Sequence, residues 1–152
     1  MKRLSVRPSR IEGNGIFSEE HIKKGEVIMI WSINSDIFDE KTYDIEQRSG
    51  NKIVIDSGAR YVSNYFLWSD KPRIENFINH SSHPNVLYHC GICFAMCDIA
   101  PEEELTVDYR YILSENDCAA FIDIKTGKIV EGVNGKQCLK ETSVMLLNIL
   151  CD

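Results

Sequence analysis

A mostly β domain is the fold class that this sequence predicts, and three observations predict it. Short runs rich in Val, Ile and aromatic residues recur at close spacing, turn residues separate them, and only the last stretch repeats its apolar residues at helical intervals. With 152 residues and 43% apolar content, the chain is sized for one domain with a single core. It has no internal repeat and no low-complexity tract.

Leu4 and Val6 begin a first strand. Gly13-Asn14-Gly15 follows as a loop, and Lys24-Gly25 turns into the β-rich run Val27-Ile28-Met29-Ile30-Trp31. Ser32 to Gly50 is mixed and charged, with short apolar pieces such as Ile37-Phe38, and reads as a variable insert. Ile53-Val54-Ile55 reads as a further strand ending at Asp56. Tyr61 to Trp68 carries four aromatics in eight residues, and Ile74 to Ile78 reads as one helical turn leading into Asn79.

Ile92 to Met96 reads as a strand buried on both faces, and Pro101 followed by glutamates marks the turn before a strand from Leu105 to Tyr109. Past Ser114 the pattern changes. Phe121-Ile122-Asp123-Ile124 and Lys128-Ile129-Val130 flank Thr126-Gly127 as a hairpin, and Leu139, Ser143, Leu146, Leu147 and Leu150 predict a final amphipathic helix. The expected organisation is a main unit over 1–113 and an extension over 114–152 packed on the same domain.

The net charge of −6 argues against a nucleic-acid-binding surface, which needs clustered Lys and Arg, and suits a basic partner better. No stretch approaches the roughly 18 apolar residues of a membrane span, and no apolar run follows the charged N-terminus. The expectation is an intracellular protein, in cytoplasm or nucleus, whose six cysteines are free thiols. Cys90, Cys93 and Cys97, with His83 and His89 nearby, invite a zinc reading. Residues three apart on a strand face opposite ways, so Cys90 and Cys93 could share a metal only across a turn at Gly91. The strand reading is preferred, with thiols in the core, and no metal is expected.

Two segments about thirty residues apart, Asn79-His80-Ser81-Ser82-His83-Pro84-Asn85 and Glu103-Glu104-Leu105-Thr106-Val107-Asp108-Tyr109, crowd polar side chains between apolar neighbours. Alone, the first reads as a hydrogen-bonded turn, with Asn79 and Asn85 accepting left-handed geometry, and Glu103 and Glu104 read as a solvated edge. The Gly13-Asn14-Gly15 loop with Ile16-Phe17 behind it offers a backbone that a ligand can approach. In this order and spacing the three segments resemble the SET domain, the S-adenosylmethionine-dependent lysine-methylating fold, from about Val6 to Tyr111.

The resemblance implies several small β-sheets with a pseudoknot near Tyr109, to which the C-terminal hairpin and helix are added. It implies a protein-lysine N-methyltransferase with S-adenosyl-L-methionine as cofactor and a basic, lysine-containing protein or peptide, histone or non-histone, as substrate. Tyr109 would be catalytic. Gly13, Asn14, Gly15, Ile16, Asn79, His80 and Tyr109 would bind the cofactor. Tyr88, Val107, Tyr111 and Phe121 would line the lysine channel, and the combination of Val107 with Tyr88 is similar to that of monomethylating members. Methyl transfer needs an in-line approach of atoms held about 3 Å apart and an amine that has lost its proton, rather than strong acid or base. The chain departs from the family at Asn76, where an Arg is usual, and at Cys118, Cys138 and Cys151, too far apart to imitate the family's closing zinc cluster. The segment after Tyr111, with Phe121 as a wall, is expected to close the channel instead. A catalytically weak, SET-like protein-binding module stays open as the alternative.

Overall fold

The computed structural model describes residues 1–31, 36–71, 73–123 and 125–151. Among the described residues, four small sheets carry most of the regular structure. The first joins β1 (Leu4–Pro8), β2 (Asn14–Ser18), β7 (Asn79–His80) and β10 (Glu104–Val107) in the order β1-β2-β10-β7. β10 runs antiparallel to β2 and parallel to β7, with Thr106 opposite Asn79 and Val107 opposite His80. A strand late in the chain is thereby inserted between two early ones, which brings the polar segments of the sequence together.

The second sheet orders β3 (Val27–Ile30), β9 (Ile92–Ala95) and β8 (Val86–His89) as β3-β9-β8. Cys90 and Gly91 form the two-residue turn between β8 and β9, both with positive φ (49° and 78°), as a tight antiparallel hairpin requires. β9 buries Cys93 and Ala95 while Ile92 and Phe94 are half-buried, so the strand is less enclosed than its apolar run suggests. The third sheet, β4 (Asp36–Asp39), β6 (Tyr65–Trp68) and β5 (Ala59–Val62), has the order β4-β6-β5. β11 (Cys118–Ile122) and β12 (Ile129–Glu131) make the C-terminal hairpin. Ile124, which the sequence put in its first strand, lies outside the described residues, as does Ser32 at the start of the insert.

Two elements differ from the expected ones. The segment around Ile53-Val54-Ile55 is not a strand but α2 (Lys52–Ser57), started by the Asn51 side chain accepting the Ile53 N–H. Only Val54 of that β-branched trio is buried, against Tyr43 and Phe66, and the short helix satisfies its own backbone there. The insert also holds α1 (Glu40–Arg48), capped by Asp39 accepting the Thr42 N–H at 2.7 Å. The terminal helix exists as α3 (Gly135–Leu150), capped by Asn134, but it buries Gly135, Cys138, Thr142 and Ile149. Leu139, Leu147 and Leu150, expected on the inner face, are exposed. At its first residue the helix sits close to the Ser63–Asn64 turn, where a Cβ on Gly135 would fall 2.0 Å from Asn64 Oδ1.

Ile16, Ile22, Ile28, Ile99, Leu105 and Val107 are fully buried in the main core, each worth roughly 1.5–3 kcal/mol of apolar transfer. Asn79 and Asn85 are not in the left-handed region; among the described non-glycine residues only Ser63, Cys90 and Glu102 are. No helix among the described residues is long and apolar enough to cross a membrane.

Candidate functional site

The Gly13–Gly15 loop, β7 and β10 meet around Asn79. Its Nδ2 lies 2.9 Å from Glu104 Oε1 and 3.2 Å from the carbonyls of Glu12 and Asn14, so one amide ties the loop to both strands. Glu104 is not a solvated edge. Its carboxylate also accepts from Ser9 Oγ at 2.7 Å, whereas Glu103 turns away to the Ala100 N–H and Asn85. The two glycines of the loop serve different needs. Gly13 has φ +48° and open space around it, while Gly15 is buried and hemmed in by Glu104 and Asn79. Asn14 is exposed, and Ile16 is a core residue with its side chain turned away from solvent.

His80 is 8% exposed and bonded at both ring nitrogens. Nδ1 accepts the Tyr109 backbone N–H at 3.1 Å, and Nε2 lies 2.9 Å from Asp123 Oδ2. The Tyr109 hydroxyl donates to the Ile78 carbonyl at 2.7 Å. Burial, with the charge of Glu12 second, pushes this phenol up to about 12. The rings of His80, Tyr109 and Phe121 pack together, with centroids 5.3 to 5.9 Å apart.

Tyr109 stands where three cavities meet. A cavity of about 560 Å³ is lined by Arg10, Glu12, Asn79, His80, Tyr109 and Phe121, among others. Another of about 460 Å³ shares Tyr109 and Phe121 as walls and adds Asp44, Gln47, Leu113 and Asp117. The third, about 150 Å³, joins Tyr109 to Trp31, Tyr43 and Ile112. Each larger cavity is of ligand size, within the usual range of about 300–1,000 Å³.

The other aromatic candidates lie elsewhere. Tyr88 is buried and donates its hydroxyl to the Arg60 carbonyl, and Tyr111 donates to Glu141 Oε2 at 2.8 Å. Both border a void of about 10 Å³ beside Arg60 and Cys138. Val107 is fully buried and lines none of these cavities. Among the described residues no group of three or more His, Cys, Asp or Glu is arranged to hold a metal.

Asp123 and Glu104 were missed as site residues. Asp123 reads in the sequence as part of a strand, yet Asp ahead of Thr126-Gly127 is a turn signal, and its Oδ1 accepts the N–H groups of Lys125 and Thr126. Those bonds, Thr126 first, hold its carboxyl well below the usual carboxylate range against an opposing effect of burial. Nothing local marks Glu104; its partners lie 25 and 95 residues away.

A family model described as the SET domain matches residues 13–110. A provisionally named histone-lysine N-methyltransferase of Plasmodium falciparum is 33% identical over 129 residues, which cover 72% of this chain and 2% of that protein. Histone-lysine N-methyltransferase TRX1 of Oryza sativa subsp. japonica is 31% identical over 128 residues, covering 75% of this chain and 12% of that protein. This chain thus spans a small part of the length of either relative. A humanized mutant of the Chaetomium thermophilum Polycomb Repressive Complex 2 shares the fold, with a TM-score of 0.56 and 19% identity over 71% of this chain and 15% of that one.

Proposed function

The chain belongs to the SET-domain family, and from that premise we propose that it is a protein-lysine N-methyltransferase domain that uses S-adenosylmethionine. The observation that carries this reading is Tyr109, one ring that walls both of the larger cavities. A donor molecule in one and a lysine side chain entering from the other would meet beside that ring.

The cavity of about 560 Å³ suits the cofactor in size and chemistry. Arg10 and Lys125 offer cations to a carboxylate, Glu12 an anion to an ammonium, and Ile11 and Phe121 apolar surface to a ring. Asn79 and His80 would hold it from β7. Of the loop, Gly13 and Asn14 are exposed and can offer main-chain groups, whereas Gly15 and Ile16 are buried and would act by shaping the strand behind them. When bound, the cofactor supplies an electrophilic methyl whose bond to sulfur breaks as the amine nitrogen takes it.

Tyr109 would orient that amine. Because its O–H is committed to the Ile78 carbonyl, its oxygen lone pairs are left to accept from an amine N–H or from an electron-poor methyl C–H. Its raised pKa keeps the phenol protonated under ordinary conditions. Apolar walls from Ile55, Leu113 and Phe121 favour a lysine that has lost its proton. Basic segments of proteins, histone tails among them, are the substrate class, met in cytoplasm or nucleus. Residues 114–152 act as an extension that walls the site through Phe121. Tyr88, Val107 and Tyr111 would shape the channel from behind, by fixing the chain around Tyr109.

Calorimetric titration with S-adenosylmethionine, on the wild-type chain and on Asn79→Ala, tests the cofactor half. Binding that weakens about tenfold or more in the variant supports it, and absence of binding to both moves the reading to a non-catalytic interaction module. Methyl transfer to basic peptides tests the rest: product formation undiminished in Tyr109→Phe would remove Tyr109 from the chemistry.

A further inference from the structure

We infer that Asp123 is a positioning residue: by fixing the tautomer of His80 it aligns the main chain at Tyr109, and so makes the C-terminal hairpin part of the site. The argument begins with what each atom can do. A backbone N–H only donates, so the Tyr109 N–H, 3.1 Å from His80 Nδ1, requires a lone pair on that nitrogen. The ring proton is then on Nε2, and it points at Asp123 Oδ2, 2.9 Å away. In the opposite tautomer Nδ1–H would face the Tyr109 N–H, and the Nε2 lone pair would face a carboxylate. Both contacts would be repulsive, and both groups are buried, so water could not relieve them.

Asp123 is set before it meets His80. Its Oδ1 accepts from Lys125 and Thr126 at 2.7 and 2.9 Å, which locks the carboxylate within its own turn and leaves Oδ2 for the imidazole. Phe121 lies two residues before Asp123, so the same side of the chain carries both, and its ring packs on His80 and Tyr109 at 5.7 and 5.9 Å. The hairpin therefore reaches the site by one apolar contact and one hydrogen bond to a carboxylate, both on the His80–Tyr109 pair. An extension that only covered apolar surface would not need the second. The inference rests on the proposed function in one respect, the role of Tyr109 toward the amine.

The test uses the full chain labelled with ¹⁵N. Long-range ¹H–¹⁵N correlations of the His80 ring are expected to give the Nε2–H pattern in the wild type, with the Tyr109 amide protected from exchange. Asp123→Asn keeps an oxygen for the Lys125 and Thr126 N–H groups but turns an NH₂ toward Nε2. Its expected signature is a shift of His80 toward the Nδ1–H form, with Tyr109 amide exchange about tenfold faster. With a basic peptide, kcat falls about tenfold or more while KM changes less than about threefold. A wild-type ring in the Nδ1–H form overturns the inference whether or not the variant folds. So does a folded variant with unchanged ring and amide signals. Because these signals need neither cofactor nor substrate, a chain that fails to bind S-adenosylmethionine would sink the proposed function and leave this result readable.

Discussion

Gly15 and Glu104 are packed so closely that a Cβ on the glycine would fall 2.2 Å from Glu104 Oε1 and 3.2 Å from Asn79 Nδ2. Glu104 has a movable end, but that end is pinned by Ser9 and Asn79. Gly15→Ala is therefore expected to eject the carboxylate, break the Asn79 contact and cost about 1–3 kcal/mol in urea denaturation. In Glu104→Ala the same glycine substitution should cost at least about 0.5 kcal/mol less, since the two side chains compete for one space. Additive costs would mean that the strand, not Glu104, resists the methyl group.

Arg60 makes a different kind of connection. Its guanidinium is buried, 1% exposed, and donates to the carbonyls of Leu113 and Val133 at 2.8 and 2.7 Å, with Glu40 3.4 Å away. Leu113 and Val133 bracket the hairpin, so one side chain holds both ends of it. Arg60→Met leaves those carbonyls and Glu40 without their donor and is expected to destabilise the protein by about 3–5 kcal/mol. Arg60→Lys should recover less than half, because one ammonium cannot serve both the Leu113 and Val133 carbonyls at Nη2 and the Ser63 carbonyl at Nη1. Amide exchange in β11 and β12 should accelerate in both variants. Unchanged protection there would detach the hairpin from Arg60.

Asn79-His80 and Leu105 to Tyr109 were legible because polar groups set among apolar neighbours are costly unless they have work to do or partners to meet. The β7–β10 pairing itself came through the family resemblance, since nothing in either segment names the other. Val54 was misread because three β-branched residues in a row suggest a strand, while the Asn51 cap and the burial of Val54 against the stacked Tyr43 and Phe66 decide otherwise. Leu147 and Leu150 were misread because helical spacing says that a face exists, not which face meets the sheet; Cys138, Thr142 and Ile149 are the ones turned inward. Glu104 and Asp123 depend on partners far along the chain or in a tight turn, and their composition resembles that of any solvated acid.

The phenol of Tyr109 gives an alkaline signature. Its folded pKa, pushed up to about 12, exceeds the ordinary value of about 10. A group with a raised folded pKa contributes stability that is complete below the unfolded value and is lost as pH rises through the folded one. Wild-type stability is expected to fall between about pH 10 and 12 more steeply than that of Tyr109→Phe. Ultraviolet difference titration at tyrosinate wavelengths should show one late-titrating group fewer in the variant. Equal slopes and equal titration curves would mean that Tyr109 meets solvent.

Asp123 should act with the opposite sign. Hydrogen bonds from Thr126, His80 and Lys125 hold its carboxyl well below the ordinary value of about 3.9, with Ser82 adding to the same effect. Its contribution to stability is therefore present above about pH 4 and lost as pH falls through the depressed folded pKa. Asp123→Asn lacks that contribution at every pH, so the stability gap between wild type and variant should be widest near neutrality and shrink below about pH 4. His80 needs no charge for this: its Nε2–H donates to the carboxylate as a neutral ring, and the Lys125 and Thr126 contacts are main-chain N–H groups. Urea denaturation of both proteins at pH 6 and pH 3 measures the gap. A gap of constant size would show that Asp123 serves the hairpin as a polar group whose charge is immaterial.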